Sequence, residues 1–366
     1  MRLRFWGTRG SMPVSLTWRD LRDRLAQVVV QAHGKPLDTL EKACAFVERE
    51  LDFSLSHTYG GHSACIELMP RAEASDEYFV CDMGSGARPF GAHVLARQAG
   101  RSATIHVFMS HMHWDHIMGF PFFGPAYAAG NRIRIYGCHE ALEHAFRLQQ
   151  DPPCFPVPFS QLAARIEFIL LTPDKPREIA GVRVTPTRQF HSGDSYGFRF
   201  EYGGKRLVYT TDSEHKLQDN KETQRVIDFF RDADLVVFDA MYSLAEAVSV
   251  KADWGHSSNV VGVELCQMAR ARKLALFHHE PANDDRAIER ILRETRRLEE
   301  LTREAHRLEV VAAYDGLEID LRVARALRRS LWWRFSSCWW PPPPRACARC
   351  ARTDSTPTSA CSRASA

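Results

Sequence analysis

The stretch that decides the reading is Ser110-His111-Met112-His113-Trp114-Asp115-His116. It follows the apolar run Ile105-His106-Val107-Phe108-Met109 and precedes Ile117-Met118-Gly119-Phe120. Four metal-ligating side chains therefore fall on a strand-to-helix loop, a kind of segment that commonly carries function. His111 and His113, two apart, project to one side of an extended chain, whereas the adjacent Asp115 and His116 diverge. One short loop thus serves two neighbouring cations. By composition alone the pattern arises in roughly one random chain in a thousand of this length, so coincidence is a poor account of it.

Two cations need more ligands, and three further candidates stand at strand ends: His191 in QFHSGDSYGFRF, Asp212 in LVYTTDSEH and His278 in LALFHHEP, with the adjacent His279 as an alternative. Taken singly each reads as an ordinary polar residue; their order and flanking strands lift them together. Asp82 in VCDMGSG reads either as a carboxylate supporting the His111 loop or as a turn former, with Gly84 and Gly86 permitting a tight turn.

Around these positions, β-rich runs occupy 2–6, 64–69, 77–81, 104–110, 132–136, 165–171, 182–186, 197–202 and 206–210, then 235–239, 274–278 and 308–313. Helical patterns cover 260–273 and 284–306. Strands in hairpin-like groups followed by strands alternating with helices predict an α/β (α+β) chain whose sheets are covered by helices in layers. Residues 16–56 interrupt the strand-rich start with two helical patterns and read as an inserted hairpin, either a packing element or a lid or dimer surface.

Composition sets outer bounds. A chain of 366 residues with 45% hydrophobic content has room for one large domain or two small ones. No apolar run is long enough to cross a bilayer, and MRLRFWGTRGS lacks the features of a signal peptide, so a cytoplasmic location is expected. The overall charge is +3, yet residues 328–366 hold seven Arg and one Asp, a local +6 that leaves −3 on residues 1–327. That body does not suit a large phosphate-tracking surface, and large nucleic acid partners are not expected. Cys44, Cys65, Cys81, Cys138, Cys154 and Cys266 are scattered singly and read as buried free thiols. Cys347 and Cys350 form one CxxC with no second pair, a weak metal signal. The tail from Leu331, with its tryptophans and four consecutive prolines, has no periodicity and is expected to be disordered.

With these residues in view, the sequence resembles the metallo-β-lactamase superfamily, in the phosphodiesterase-like branch that includes ribonuclease Z. FWGTRGSMP, YGGHSAC, VCDMGSG, HMHWDH and AAYDGLEIDL carry the likeness, which covers residues 1–322 apart from the 16–56 insertion and leaves 323–366 as a low-complexity tail. It implies a four-layer αββα sandwich. It also implies that His111, His113 and His191 ligate one metal, that Asp115, His116 and His278 ligate the other, and that Asp212 bridges them. His256 in DWGHSS matches the histidine that assists phosphodiester cleavage, Asp239 in VVFDAMY sits where its carboxylate partner is found, and Asp115 counts among the catalytic groups as well as the ligands. Two departures stand out: His62 replaces the usual Asn of YGGHSAC, and no long exosite arm like that of ribonuclease Z is apparent.

Imidazole and carboxylate ligands without thiolate suit two zinc ions, with manganese or iron as alternatives. The expected activity is hydrolysis of a small phosphodiester, such as a cyclic nucleotide, a cyclic ribose phosphate or a short RNA end. Hydrolysis of a lactone, thioester or β-lactam, or a non-catalytic signalling module, are the alternatives, and a homodimer is compatible with the insertion. Because the tail has no periodic apolar face, deleting residues 331–366 is expected to leave metal content and turnover nearly unchanged, as elemental analysis and steady-state rates on the truncated chain will show.

Overall fold

A computed structural model describes residues 1–71, 75–215, 217, 220–242 and 255–322. The tail expected to be disordered and its CxxC lie outside the described residues. Met1–Val323 forms one compact unit.

Two sheets of seven strands make the frame. The first contains β1 (Arg2–Gly7), β2 (Cys65–Met69), β3 (Glu77–Cys81), β4 (Thr104–Phe108), β5 (Arg132–Gly137) and β6 (Arg165–Leu170) in that spatial order. The second contains β7 (Arg177–Ile179), β8 (Val182–Gln189), β9 (Ser195–Tyr202), β10 (Lys205–Thr210), β11 (Leu235–Asp239), β12 (Lys273–Phe277) and β13 (Glu309–Ala312), and β14 (Glu318–Asp320) returns to pair with β1. In each sheet the pairings are antiparallel up to one strand, β3 or β10, and parallel beyond it.

The continuous apolar strands follow from burial on both faces. On β11, Leu235 and Val237 join the core between the sheets, while Val236 and Phe238 face the helices outside. On β3, Phe79 and Cys81 point inward and Tyr78 and Val80 outward. Aromatic rings fill the space between the sheets: Phe108 meets Phe200 edge-on with centroids 5.1 Å apart and stacks on Tyr136 at 5.1 Å.

The helices, in chain order, are α1 (Trp18–Ala32), α2 (Leu40–Arg49), α3 (Phe53–Ser56), α4 (Ala87–Gln98), α5 (Trp114–Ile117), α6 (Leu142–Leu148), α7 (Asn220–Phe230), α8 (Asn259–Met268) and α9 (Asp285–Thr302). Phe90 and Val94 of α4 and Phe146 of α6 close the outer face of the first sheet. Phe230 of α7, Leu265 of α8 and Leu292 of α9 close that of the second. The layers are therefore αββα.

Several boundaries differ from the sequence reading. The pattern over 260–273 stops as a helix at Met268, because Arg270 adopts a left-handed φ of 58° that turns the chain into β12. Helix α4 escaped notice because Pro89 and Gly91 interrupt its apolar pattern, and the three-residue strands β7 and β14 are too short to show alternation. The six described cysteines are free, but Cys44 and Cys154 are exposed rather than buried. Among the described residues no helix is long and apolar enough to cross a membrane.

The 16–56 segment folds as α1 to α3. Phe46 anchors α2, and Phe53 of α3 packs on Tyr59 and Tyr314 with ring centroids 4.7 and 5.0 Å away. Helix α1 begins with a reciprocal cap between Thr17 and Asp20 and is tied to the body through Arg24, which pairs with Asp285 and donates to the His57 carbonyl at 2.9 Å.

Phe200 is fully buried between the sheets. Phe200→Ala is expected to cost about 3–5 kcal/mol of stability through lost burial and a residual cavity, read from the shift in urea midpoint.

Candidate metal centre

The loops that leave the C-terminal ends of the parallel strands meet at one rim, the usual place for a site in sheets of this kind. Three of them open on a residue forced into the left-handed region: Asp82 after β3 (φ 57°), Asp212 after β10 (φ 42°) and His278 after β12 (φ 60°). Such a backbone costs about 1–3 kcal/mol at each non-glycine position, and surrounding contacts must hold it.

Asp82 supplies many of those contacts. Fully buried, it accepts hydrogen bonds from the Ser110 backbone N–H (2.8 Å), the Ser110 hydroxyl (2.7 Å), the Tyr209 hydroxyl (2.6 Å) and His116 Nδ1 (2.8 Å). Ser110 Oγ, its proton given to Asp82, lies 3.0 Å from His111 Nδ1 and can accept from it. One carboxylate thus fixes the ring orientation of two histidines and leaves Nε2 of each turned inward. His191 is fixed by the backbone instead: its Nδ1 donates to the Gly255 carbonyl at 2.8 Å. Gly255 has φ +84°, and a Cβ there would stand 2.4 Å from His191 Nδ1, so only glycine allows this approach.

The seven candidate ligands converge in two sets. His111, His113, His191 and Asp212 bring ligand atoms within 4.8 Å of one another, and so do Asp115, His116, Asp212 and His278. Asp212 belongs to both and divides its oxygens between them. Oδ2 lies 3.6 Å from His111 Nε2 and 3.8 Å from His191 Nε2, while Oδ1 lies 3.1 Å from His116 Nε2 and 3.1 Å from His278 Nε2. Of the adjacent histidines, His278 turns Nε2 toward Asp212, whereas His279 Nε2 donates to the Ala313 carbonyl at 2.8 Å.

The donor chemistry fits a cation. Nε2 of His111 and of His116 are buried without a hydrogen-bond partner, although His116 Nε2 is 3.1 Å from both Asp115 Oδ2 and Asp212 Oδ1. An unpartnered buried nitrogen is costly, and here it is aimed between oxygens toward a point that a shared ion would satisfy. Without an ion, burial opposes the charge on His116, yet Asp212, Asp115 and Asp82 hold it well above the usual histidine range. Burial likewise pushes Asp115 up, but His116 beside it keeps that carboxyl well below its ordinary value. The site is built for positive charge.

Behind the second set, Asp239 Oδ2 accepts from His256 Nδ1 at 2.8 Å and from the Ser213 N–H at 3.1 Å, and its Oδ1 accepts from the Met241 N–H at 3.1 Å. His256 sits between the sets, its ring centroid 5.2 Å from that of His191 and 5.2 Å from that of His278.

Residues 81–279 match the beta-lactamase superfamily domain. The chain belongs to this superfamily. Ribonuclease Z of Haloarcula marismortui is 23% identical, in an alignment covering 71% of this chain and 95% of that protein. The solved structure of YhfI from Bacillus subtilis, a metallo-beta-lactamase fold protein, superposes with a TM-score of 0.53 at 17% identity, covering 87% of this chain and 98% of that one. A diphosphatase of the PhnP family gives 0.51 at 16% identity, covering 87% and 97%. At these identities the likeness to the solved structures shows the fold, and the metallo-β-lactamase fold of the superfamily is the one built here from its layers.

Other sequence readings are refined. Gly84 and Gly86 do lie in a tight turn, closed by the Ala87 N–H donating to the Gly84 carbonyl at 2.9 Å, without positive φ, and Gly84 is required by close approach, since a Cβ would lie 2.3 Å from the Asp115 carbonyl oxygen. His62 joins neither set and instead approaches the Ser85 hydroxyl, Nδ1 to Oγ 3.1 Å. Tyr209 and Ser110 escaped the sequence reading because a strand tyrosine and a loop serine are ordinary residues until Asp82 is placed beside them. The Gly255 carbonyl has no side-chain signal, although a glycine directly before His256 hinted at it.

Asp212→Ala is expected to abolish metal retention, as elemental analysis after dialysis will show. Asp82→Asn, which weakens the support of His111 and His116 while leaving every ligand in place, should lower metal affinity about 10–100-fold in a chelator competition.

Proposed function

We propose that this superfamily member hydrolyses a small phosphodiester with the help of two divalent cations, and that His256 delivers the proton to the leaving oxygen. The observation that carries the reading is the His256–Asp239 pair set beside both groups of ligands. His111, His113, His191 and Asp212 would hold one cation, and Asp115, His116, His278 and the same Asp212 the other. Zinc suits these nitrogen and oxygen donors best, with manganese or iron as alternatives. When bound, the pair supplies Lewis acidity toward a substrate oxygen and a water acidified to near-neutral pKa.

The remaining steps belong to the chain. Asp239 engages His256 Nδ1, which makes Nε2 the atom that offers a proton. Burial works against the charged ring, but the charge and hydrogen bond of Asp239, with Asp212 and Asp115 behind, raise His256 to about 9. Asp239, which is no member of either ligand set, is the neighbour that favours the protonated ring an acid needs. As the bond from phosphorus to the leaving oxygen breaks, that proton passes to the oxygen, and the neutral imidazole recovers one from solvent. Asp239 acts as a positioning residue, holding tautomer and orientation without contacting substrate.

Two further facts bear on the substrate. Similar proteins bear the names ribonuclease Z and diphosphatase, which supports a phosphate ester. The net −3 on residues 1–327 disfavours long polyanions.

The test pairs leaving groups. His256→Ala is expected to retain its metals and lose on the order of a hundredfold in kcat on an alkyl phosphodiester, with a much smaller loss on a nitrophenyl phosphodiester whose leaving group needs little protonation. Equal losses on both remove His256 from the acid role, and turnover confined to carboxylic esters removes the phosphodiester reading. A general acid acts below its own pKa, so the rate should fall as pH rises through that of His256. Asp239→Asn should move this alkaline limb to lower pH by about one unit or more, since the raising carboxylate is gone.

A further inference from the structure

Helix α1 is amphipathic, but it sits with its apolar stripe in water. Its half-buried residues, Arg24, Gln27, Val28 and Ala32, face the body, where Arg24 pairs with Asp285 and donates to the His57 carbonyl and Gln27 accepts from Arg286. Its exposed residues include Trp18, Leu21, Leu25, Val29 and Val30, which are 65%, 53%, 56%, 69% and 74% exposed. Trp18, Leu21, Leu25 and Val29 fall at helical spacing on one stripe, and no residue of α1 is buried. A helix that turned its stripe inward would be an ordinary packing element; this one is held the other way by a salt bridge.

We propose that the stripe is the contact surface of a homodimer, in which α1 of one copy lies antiparallel on α1 of a second copy of this chain across a two-fold axis near residue 23. Two quantities favour that occupant. The four side chains of the stripe leave on the order of 400 Å² of apolar surface in water, given roughly 150–250 Å² for a whole aromatic side chain and less for an aliphatic one. A standard interface takes about 800 Å² from each partner, roughly 65% of it apolar where identical copies meet, so the stripe supplies most of the apolar share of one half.

Charge decides the partner class and the direction. Residues 16–56 carry six Lys and Arg against seven Asp and Glu, a balance that suits neither an anionic membrane surface nor nucleic acid. Along α1 the charges Arg19, Asp20, Arg22, Asp23 and Arg24 fall in the first half, while residues 25–34 hold no Asp, Glu, Lys or Arg. A parallel pair would set Arg19 by Arg19 and Asp20 by Asp20. An antiparallel pair instead sets Arg19 and Asp20 against the neutral Gln27 and Ala26 of the other copy, leaves Arg22 and Asp23, which pair within each helix, beside the axis, places Trp18 near Val29 and brings Leu21 against Leu25.

Sedimentation equilibrium of the full chain at micromolar concentration is expected to give twice the 41.7 kDa chain mass. Leu21→Glu and Leu25→Lys should each shift the chain to monomer, with unchanged circular dichroism and metal content. The two substitutions in one chain should restore dimer, because residue 21 of each copy then faces residue 25 of the other with opposite charge. A monomeric wild type, or single variants that remain dimers, overturns the proposal, and a double variant that stays monomeric overturns the antiparallel pairing. Binding of a monomeric wild type to phosphatidylcholine–phosphatidylglycerol vesicles, lost in Leu21→Glu, would assign the stripe to a membrane surface instead and equally overturn it.

Discussion

A single buried carboxylate ties the parts of this molecule together. Asp82 follows β3 in the first sheet and receives the hydroxyl of Tyr209, from β10 of the second, along with Ser110 and His116 from the loop after β4. A carboxylate in this position is tolerable only because four donors surround it, and removing any one leaves the charge partly unmet. The same bonds that satisfy Asp82 aim Nε2 of His116 and prepare the setting of His111. Sheet packing and ligand orientation are therefore one network.

The backbone pays for this arrangement at repeated places. Each sheet changes from antiparallel to parallel pairing at one strand, β3 or β10, and each of those strands is followed by an aspartate with positive φ. Asp82 and Asp212 thus stand at corresponding points of the two sheets, one orienting ligands from behind and one between the two sets of ligands. His278 repeats the conformation after β12. A left-handed residue ends a strand abruptly and swings its side chain toward the rim, and the hydrogen bonds and packing of the surrounding loops offset the strain.

A second division of labour separates the rim from α1. The αββα body buries its apolar surface on both faces of both sheets, which leaves its rim free to carry polar groups. Helix α1 is tied to that body by a few polar contacts, chiefly Arg24 with Asp285. Asp285 also accepts from the backbone N–H of Tyr59 at 2.9 Å, so the anchor of α1 and the packing of α3 share one carboxylate.

The sequence by itself determined the layers and the types of the candidate ligands. Apolar runs such as Leu235–Asp239 and Lys273–Phe277 are legible because a strand buried on both faces has no polar alternation to blur it, and the His111–His116 loop is legible because its chemistry is packed into six residues. Only the tertiary structure separates His278 from His279, which differ by one residue in the chain but point to an aspartate pair and to a backbone carbonyl. It alone brought Tyr209 to Asp82, 127 positions away in the chain, and Gly255 to His191. It alone showed that the stripe of α1 faces water, because periodicity reveals that a helix has an apolar side and says nothing of which way the body turns it. Local pattern records what a segment needs to bury or bind; the partner that meets the need is fixed by chain distances that no local pattern contains.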